Sequence, residues 1–406
     1  MSIFREIPPT AGFTLQIKEL FLSLKADNRD DLLEEDFRRF LDASYVRITC
    51  SGTASFYLIL ESLKKISTKK TIIIPSYICP LIPLAIKRAG LKIAVCDIRK
   101  SDFNFSSSML EKLCSFNRDI LAIVAVHLAG IPLEFDAIDD VAKKYGIFTI
   151  EDCAQSLGAV YKGKKAGTLG DFSFFSMCRG KGITIYEGGA VVANRKEHST
   201  LIDETIESLV KIDSISEALL VIKMIGYWIF YRPSLFWLVF RLPQIFWNWR
   251  GNKVKALSEY FTINFPLHRV SKARRAIGHS QFNRLENEIR KQREKASYYI
   301  ERLENIKGVN VIRELPETMA VYPFVTLIFD DKGKKKKALE SLESSGFGVS
   351  EIYACAISDY YYLKEIIPDS NCSNARYLTD REITLSTSTF LKKKDLDMVV
   401  NILADL

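Results

Sequence analysis

Short, wholly apolar runs alternate with amphipathic stretches through the first half of the chain. YVRIT, TIIIP, KIAVCDI, DILAIVAVHL and IFTIED predict strands, and SFYLILESLKK, PLIPLAIKRAG, SSMLEKLCS and DAIDDVAKKYG between them predict helices. Strands that are apolar throughout, each followed by a helix, argue for a parallel or mostly parallel sheet covered on both faces. Two more apolar runs, Phe172 to Met177 and Ala190 to Ala193, return along it. Ahead of the sheet, Pro8-Pro9 breaks an arm, and LQIKELFLSL and LLEEDFRRFL have helical spacing. Beyond it, residues 270 to 305 predict one long helix with a solvated side. VNVIR, YPFVTLIF, GFGVSEI and EITLST then predict strands, and KKKKALESLESSG and DLDMVVNILADL helices, of a small α+β domain. The expected division is an arm and helices at 1–45, a large α/β domain at 46–260, and the long helix with the small domain at 261–406.

Residues 217 to 250 break this rhythm. The stretch EALLVIKMIGYWIFYRPSLFWLVFRLPQIFWNWR holds all four tryptophans. Lys223, Arg232, Arg241 and Arg250 interrupt it, and Pro233 and Pro243 break it, so no uncharged run approaches the ~20 residues that span a bilayer. It reads as a helical hairpin buried in the large domain or at a subunit interface, or as one lying on a membrane with its aromatics in the interface.

Composition adds bounds. At 46.2 kDa, with 48% hydrophobic and 26% charged residues, the chain suits a soluble protein of one large and one smaller domain. A formal charge of +8 fits anionic small molecules or a membrane surface. No helix-turn-helix, zinc-finger or ribonucleoprotein pattern points to nucleic acid. The eight cysteines are scattered and form no CxxC pair, which reads as reduced and cytosolic. Residues 1–13 carry no apolar core of signal-peptide length. No metal site is expected, because His127, His198, His268 and His279 do not pair with cysteines or carboxylates at ligand spacing. Lys334 to Lys337 reads as a solvated helix start.

Candidate chemistry gathers at the predicted strand ends. Thr53, Ser76, His127, Asp152, Ser176 and Lys181 all fall at or just after them, where ligands of such sheets bind. Cys50-Ser51-Gly52-Thr53-Ala54 is a small-residue turn opening a helix, whose free N–H groups and hydroxyl suit a phosphate. Asp152 closes one apolar run, and Lys181 stands between Gly180 and Gly182 after the next. Such an acid and lysine on neighbouring strands is what a pyridoxal phosphate site requires. The lysine binds the cofactor, and the acid keeps its ring nitrogen protonated. Gln155, three residues after Asp152, projects near the same ligand, and Ser176 offers a hydroxyl to its phosphate. Taken singly, Asp152 reads as a helix cap, Lys181 as a surface lysine and His127 as a structural histidine.

SGTA, IIIPSYICP, VHLAG, IEDCAQSLGAVYKGKKAGTLGDFSFFS and the spacing from Lys181 to Glu187-Gly188-Gly189 resemble the DegT/StrS-type sugar aminotransferases. These are pyridoxal phosphate (PLP) enzymes of fold type I, the aspartate aminotransferase class. The resemblance runs from about Ile7 to the C-terminus and is densest between Val126 and Ala193. It implies the fold-type-I architecture, with a mostly parallel central sheet flanked by helices and a small C-terminal α+β domain. By the same resemblance Lys181 binds the cofactor and shuttles the proton, Asp152 pairs with the ring nitrogen, and Gln155 contacts the ring oxygen. Gly52, Thr53, Ala54 and Ser176 form the phosphate site. Members work as homodimers with active sites at the interface, and move an amino group, usually from glutamate, to a keto sugar on a nucleotide.

The chain departs from the family pattern in places. The aromatic residue that often stacks on the ring is replaced by Cys79, leaving Tyr77 as the stacking candidate. The usual cross-subunit Asn aligns with Leu267, three residues from Asn264. The resemblance implies an amino transfer for surface-polysaccharide or glycoconjugate synthesis, in the cytoplasm. Relatives that act as dehydratases carry histidine in place of the lysine. A sugar dehydratase or lyase on the same site, or a non-catalytic membrane-docked binding or regulatory protein through 217–250, stands as the alternative.

Overall fold

The computed structural model describes residues 5–23, 31–343 and 345–406. A seven-stranded sheet forms its centre: β1 Val46–Thr49, β2 Thr71–Pro75, β3 Lys92–Cys96, β4 Ile120–Val126, β5 Phe148–Asp152, β6 Phe172–Ser176 and β7 Gly189–Ala193. They lie in the order β1-β7-β6-β5-β4-β2-β3. All neighbours are parallel except that β7 runs antiparallel to both β1 and β6. The wholly apolar runs are explained by burial on two faces. Ile72 and Ile74 of β2 pack with Phe56 and Leu60 of the helix Gly52–Ile66. Ile73, between them in sequence, points the other way, into a core with Leu110 and Ile138 of the helices Ser107–Phe116 and Phe135–Tyr145. The period of two along a strand thus feeds two separate cores.

The long helix Lys272–Leu303 carries the chain to a four-stranded antiparallel sheet, in the order Val309–Val311, Phe324–Phe329, Glu382–Ser386 and Val349–Ser350. Helices Lys332–Glu343 and Lys393–Ala404 accompany it. One lysine of the 334–337 run departs from the solvated reading. Lys335 is 7% exposed, donates to Thr379 O at 2.7 Å and pairs with Glu351. A buried ammonium is tolerated only with such partners.

Residues 214–249 form two helical arms, Ser214–Phe230 and Pro233–Trp249, bent by 108° at the break before Pro233. Proline has no N–H to continue the ladder, and it opens the second arm. Burial is one-sided, which corrects the expectation of a hairpin buried in the large domain. Leu220, Met224, Tyr227 and Tyr231 lie inward, while Ile215, Leu219, Ile222 and Ile229 are exposed to different degrees, from 78% at Ile215 to 39% at Ile229. All eight cysteines are free.

Candidate active site

Parallel strands bring their carboxyl ends to one edge, and three connections there build the site. The first is the turn from β1 into Gly52–Ile66. Ser51 caps the helix: its Oγ accepts from Ala54 N at 3.0 Å and its carbonyl accepts from Ser55 N at 3.0 Å. The N–H groups of Gly52 and Thr53 are left as the helix's free donors among the described residues, at its positive end. The second is the end of β6. A Cβ on Gly52 would stand 3.2 Å from both Ser176 Cβ and Phe175 O, so Ser176 lies directly against the turn. A Cβ on Gly189, opening β7, would meet Ser51 C and O at 2.4 Å. Glycine at both positions lets strand, turn and helix close into a small polar cradle.

The third is the turn after β5. Asp152 ends that strand almost fully buried, and its Oδ1 accepts from Ala154 N at 3.0 Å. Burial pushes its carboxyl above the ordinary range, opposed by the Ala154 N–H, Lys181 and His127. Its other oxygen has no hydrogen bond among the described residues, which leaves it open to a donor from a ligand. Gln155 Oε1 accepts from Ala129 N at 2.8 Å. That commits the amide oxygen and leaves its NH2 as the donor for a ligand. The Ala129 N–H is aimed by a left-handed turn, with φ of 57° at Ala129 and 69° at Gly130. Sequence patterning did not single out Ala129.

Lys181 lies in the loop between β6 and β7, beyond the strand end, and its ammonium is within electrostatic reach of Asp152 and Cys79. The N-terminal arm holds this loop. Thr10 Oγ1 donates to Gly180 O at 3.0 Å, and Phe13 N donates to Lys181 O at 3.0 Å. A Cβ on Gly12 would come within 2.4 Å of Gly180 Cα. The arm is held in turn by Tyr227, whose hydroxyl donates to Phe13 O at 2.9 Å. Nothing in the local sequence signalled these contacts, because they join segments far apart in the chain. Behind Arg179 and Gly180, a mostly apolar cleft of 600 Å³ opens toward the inner angle of the hairpin.

Other expected residues are placed elsewhere. Tyr77, expected to stack on a ring, is 2% exposed, with its ring stacked on Phe103, edge-on to Tyr353 and its hydroxyl donated to Glu382 at 3.1 Å. It clasps the small domain and has no face open to a ligand. Cys79, the half-buried residue two further on, is the one within reach of Lys181 and Asp152, and Tyr353 shares that neighbourhood. Ser76 Oγ bonds Asp97 at 2.5 Å and ties β2 to β3.

Three of the four histidines do find carboxylates once the chain is folded, contrary to the spacing argument, while His198 stacks on Phe172. His127 Nδ1 accepts from Leu133 N at 3.3 Å, so its Nε2 carries the hydrogen donated to Glu151 at 2.9 Å. Glu151 also accepts from the N–H groups of Gly167, Leu169 and Gly170. Together with Cys153 these two side chains approach metal-ligand spacing, but both His127 nitrogens and both Glu151 oxygens are engaged in hydrogen bonds, those of Glu151 shaping the 167–170 turn. His268 pairs with Glu217 at 3.0 Å, and His279 with Asp36.

The residues fit PLP. The cradle suits a phosphate, the buried carboxylate suits a protonated ring nitrogen, the Gln155 NH2 suits a ring oxygen, and a lysine stands within reach. A sequence model of the DegT/DnrJ/EryC1/StrS aminotransferase family matches residues 22–210 and 250–404. The UDP-4-amino-4,6-dideoxy-N-acetyl-beta-L-altrosamine transaminase of Campylobacter jejuni is 26% identical over 93% of this chain and 89% of its own. The GDP-4-keto-6-deoxy-D-mannose 3-dehydratase of Yersinia pseudotuberculosis is 32% identical over 40% of this chain and 42% of its own. The structure of Helicobacter pylori PseC, an aminotransferase involved in pseudoaminic acid biosynthesis, superposes with a TM-score of 0.77 at 19% identity, covering 99% of both chains.

Proposed function

Since the chain belongs to the PLP-dependent DegT/DnrJ/EryC1/StrS aminotransferase family, we propose that it transfers an amino group, from glutamate, to a keto group of a nucleotide-linked sugar. The observation that carries this reading is Lys181 held within electrostatic reach of the buried carboxylate of Asp152, whose Oδ1 is fixed by Ala154 N. Bound PLP supplies the electron sink for the carbon that loses its proton. The chain's own residues do the rest. Gly52 and Thr53 N–H groups and the Ser176 hydroxyl hold the phosphate, with Ala54 closing the turn behind them. The buried carboxylate of Asp152 would keep a proton on the ring nitrogen. Gln155 donates to the ring oxygen. Lys181 would hold the cofactor, and its amine is placed to move the proton of the transfer. The arm at Thr10–Phe13 fixes the lysine loop and shields it from water.

The sugar dehydratase reading is supported by the similarity to the Yersinia pseudotuberculosis enzyme. Lysine at position 181, where dehydratases of the resembling family carry histidine, favours transamination. Homodimer assembly, a cytoplasmic location, a role in surface-polysaccharide or glycoconjugate synthesis and peripheral membrane contact through 217–250 belong to the same proposal. Incubation with glutamate and a panel of nucleotide keto sugars tests it. Release of 2-oxoglutarate with amination of one sugar is expected, and Lys181→Ala should abolish both while losing the cofactor's absorbance band. Turnover retained in Lys181→Ala refutes the reading. Loss of the sugar hydroxyl without 2-oxoglutarate release would establish the dehydratase instead.

A further inference from the structure

We propose that the outer face of the 214–249 hairpin docks flat on an anionic lipid bilayer. This deepens the membrane contact named above and rests on that reading. The first helix is apolar on both sides. Its inner stripe is buried against the arm, yet Ile215, Leu219, Ile222 and Ile229 form a second stripe at helical spacing. The second arm continues it with Phe246 and Trp249; Trp249 is 80% exposed and Ile215 78%. A helix of a soluble protein ordinarily turns charge to the outside, and an apolar patch of this extent marks a contact surface. The family match stops at 210 and resumes at 250, so this face lies outside what the family's members share.

Charge chooses the occupant. No Asp or Glu occurs from residue 218 to 258, whereas Lys223, Arg232, Arg241, Arg250, Lys253 and Lys255 do, Lys253 being paired with Glu351. Arg232 lies over the Trp228 ring, Arg250 over Phe246 and Lys255 over Trp247. Cations set beside aromatics at the margin of an apolar face match a headgroup boundary, where stems and rings sit in the acyl region and charges reach phosphates. A second copy of the chain matches poorly. A two-fold contact lays the patch on itself, opposing cation to cation, and the hairpin's one carboxylate, Glu217, is buried and already paired with Arg274 and His268. Among the described residues no single helix is long and apolar enough to cross a membrane, and the 108° bend suits a hairpin that lies in the interface. The inner face of the same helix holds the arm through Tyr227, and the arm holds the Lys181 loop. Docking therefore presents the site at the membrane surface.

Flotation of the full-length protein tests this, with vesicles of pure phosphatidylcholine and of phosphatidylcholine mixed equally with phosphatidylglycerol. The protein should float with the mixed vesicles and stay behind with the neutral ones. Lys223→Glu/Arg232→Glu/Arg250→Glu should weaken binding at least about a hundredfold, and Ile222→Ser/Phe246→Ser/Trp249→Ser should abolish it. These positions are exposed, so an unchanged far-ultraviolet spectrum is expected in both variants. Equal binding to neutral vesicles, or binding unaffected by the charge reversals, overturns the proposal. So does failure to float, combined with oligomers that the triple-serine variant disperses, which would make the face a contact between copies. Flotation needs no turnover, so its failure leaves the aminotransferase reading standing, and failure of amino transfer leaves flotation interpretable.

Discussion

Arg274→Met should loosen the lysine loop more than any surface change. Arg274 is fully buried on the first turn of the Lys272–Leu303 helix. Its Nε donates to Glu217 Oε2 at 2.9 Å and its second terminal nitrogen to Oε1. The remaining nitrogen donates to the carbonyls of Ile185, at 3.2 Å, and Glu187. One guanidinium thus fastens the long helix, the hairpin and the segment between Lys181 and β7. Methionine fills the space but leaves the buried Glu217 carboxylate with only His268 and Ser271 N as partners, and strands two carbonyls. Breaking a buried pair from one side costs about 3–5 kcal/mol, and the orphaned carbonyls fall within that total.

The loss should vary with pH. Burial alone would raise the Glu217 carboxyl, but His268, Arg274 and Ser271 N–H outweigh it and hold the group well below the carboxylate range. In the variant His268 is the remaining cation, and its own value is raised mainly by its hydrogen bond to Glu217. The penalty should therefore be milder at pH 6, with His268 charged, and larger as pH rises and His268 loses its proton. Hydrogen exchange on peptides covering 183–189 is the assay. About 4 kcal/mol of local destabilisation corresponds to exchange roughly a thousandfold faster. Glu217→Gln/Arg274→Met should recover more than half of the loss, because removing both charges is cheaper than stranding one. Exchange unchanged in the single variant, or a double variant as damaged as the sum of both singles, would refute the reasoning.

Asp152→Asn should still bind cofactor, visible in its absorbance, while amino transfer drops about 10²–10³-fold, since the amide keeps the shape and loses the charge; near-normal turnover would count against the ring-nitrogen role. Gly189→Ala drives a Cβ against Ser51 backbone atoms and should cost about 1–3 kcal/mol in thermal or denaturant unfolding, with cofactor affinity falling in titrations. Glu259 is pushed up to about 7, chiefly by burial, against hydrogen bonds from Tyr360 and Ala354 N. A raised carboxyl is favoured folded in its protonated form, so that stability is present below about pH 4 and lost as pH rises through about 7, at most about 1.4 kcal/mol per unit. Glu259→Gln should flatten the melting temperature between pH 5 and 7, and an unchanged slope would show that the group does not titrate there.

The sequence by itself determined the strand–helix alternation of the sheet and the candidates Asp152, Gln155, Ser176, Lys181 and Ser51 to Ala54, because each is announced by neighbours in the chain. An apolar run ends, small residues follow, and the strand's carboxyl end is where the next polar residue must fall. Only the tertiary structure decided what those residues face. Tyr77 follows its strand as a stacking residue should, yet the small domain claims both its ring and its hydroxyl. His127 and Glu151 are 24 positions apart in sequence and meet because β4 and β5 are neighbours. The Lys181 loop is held by Thr10 and Phe13, and by Arg274, through contacts that no local pattern encodes. The outward apolar stripe of the hairpin shows the same division. Its composition was visible from the start, but which side the protein covers depends on where the arm and the long helix pack.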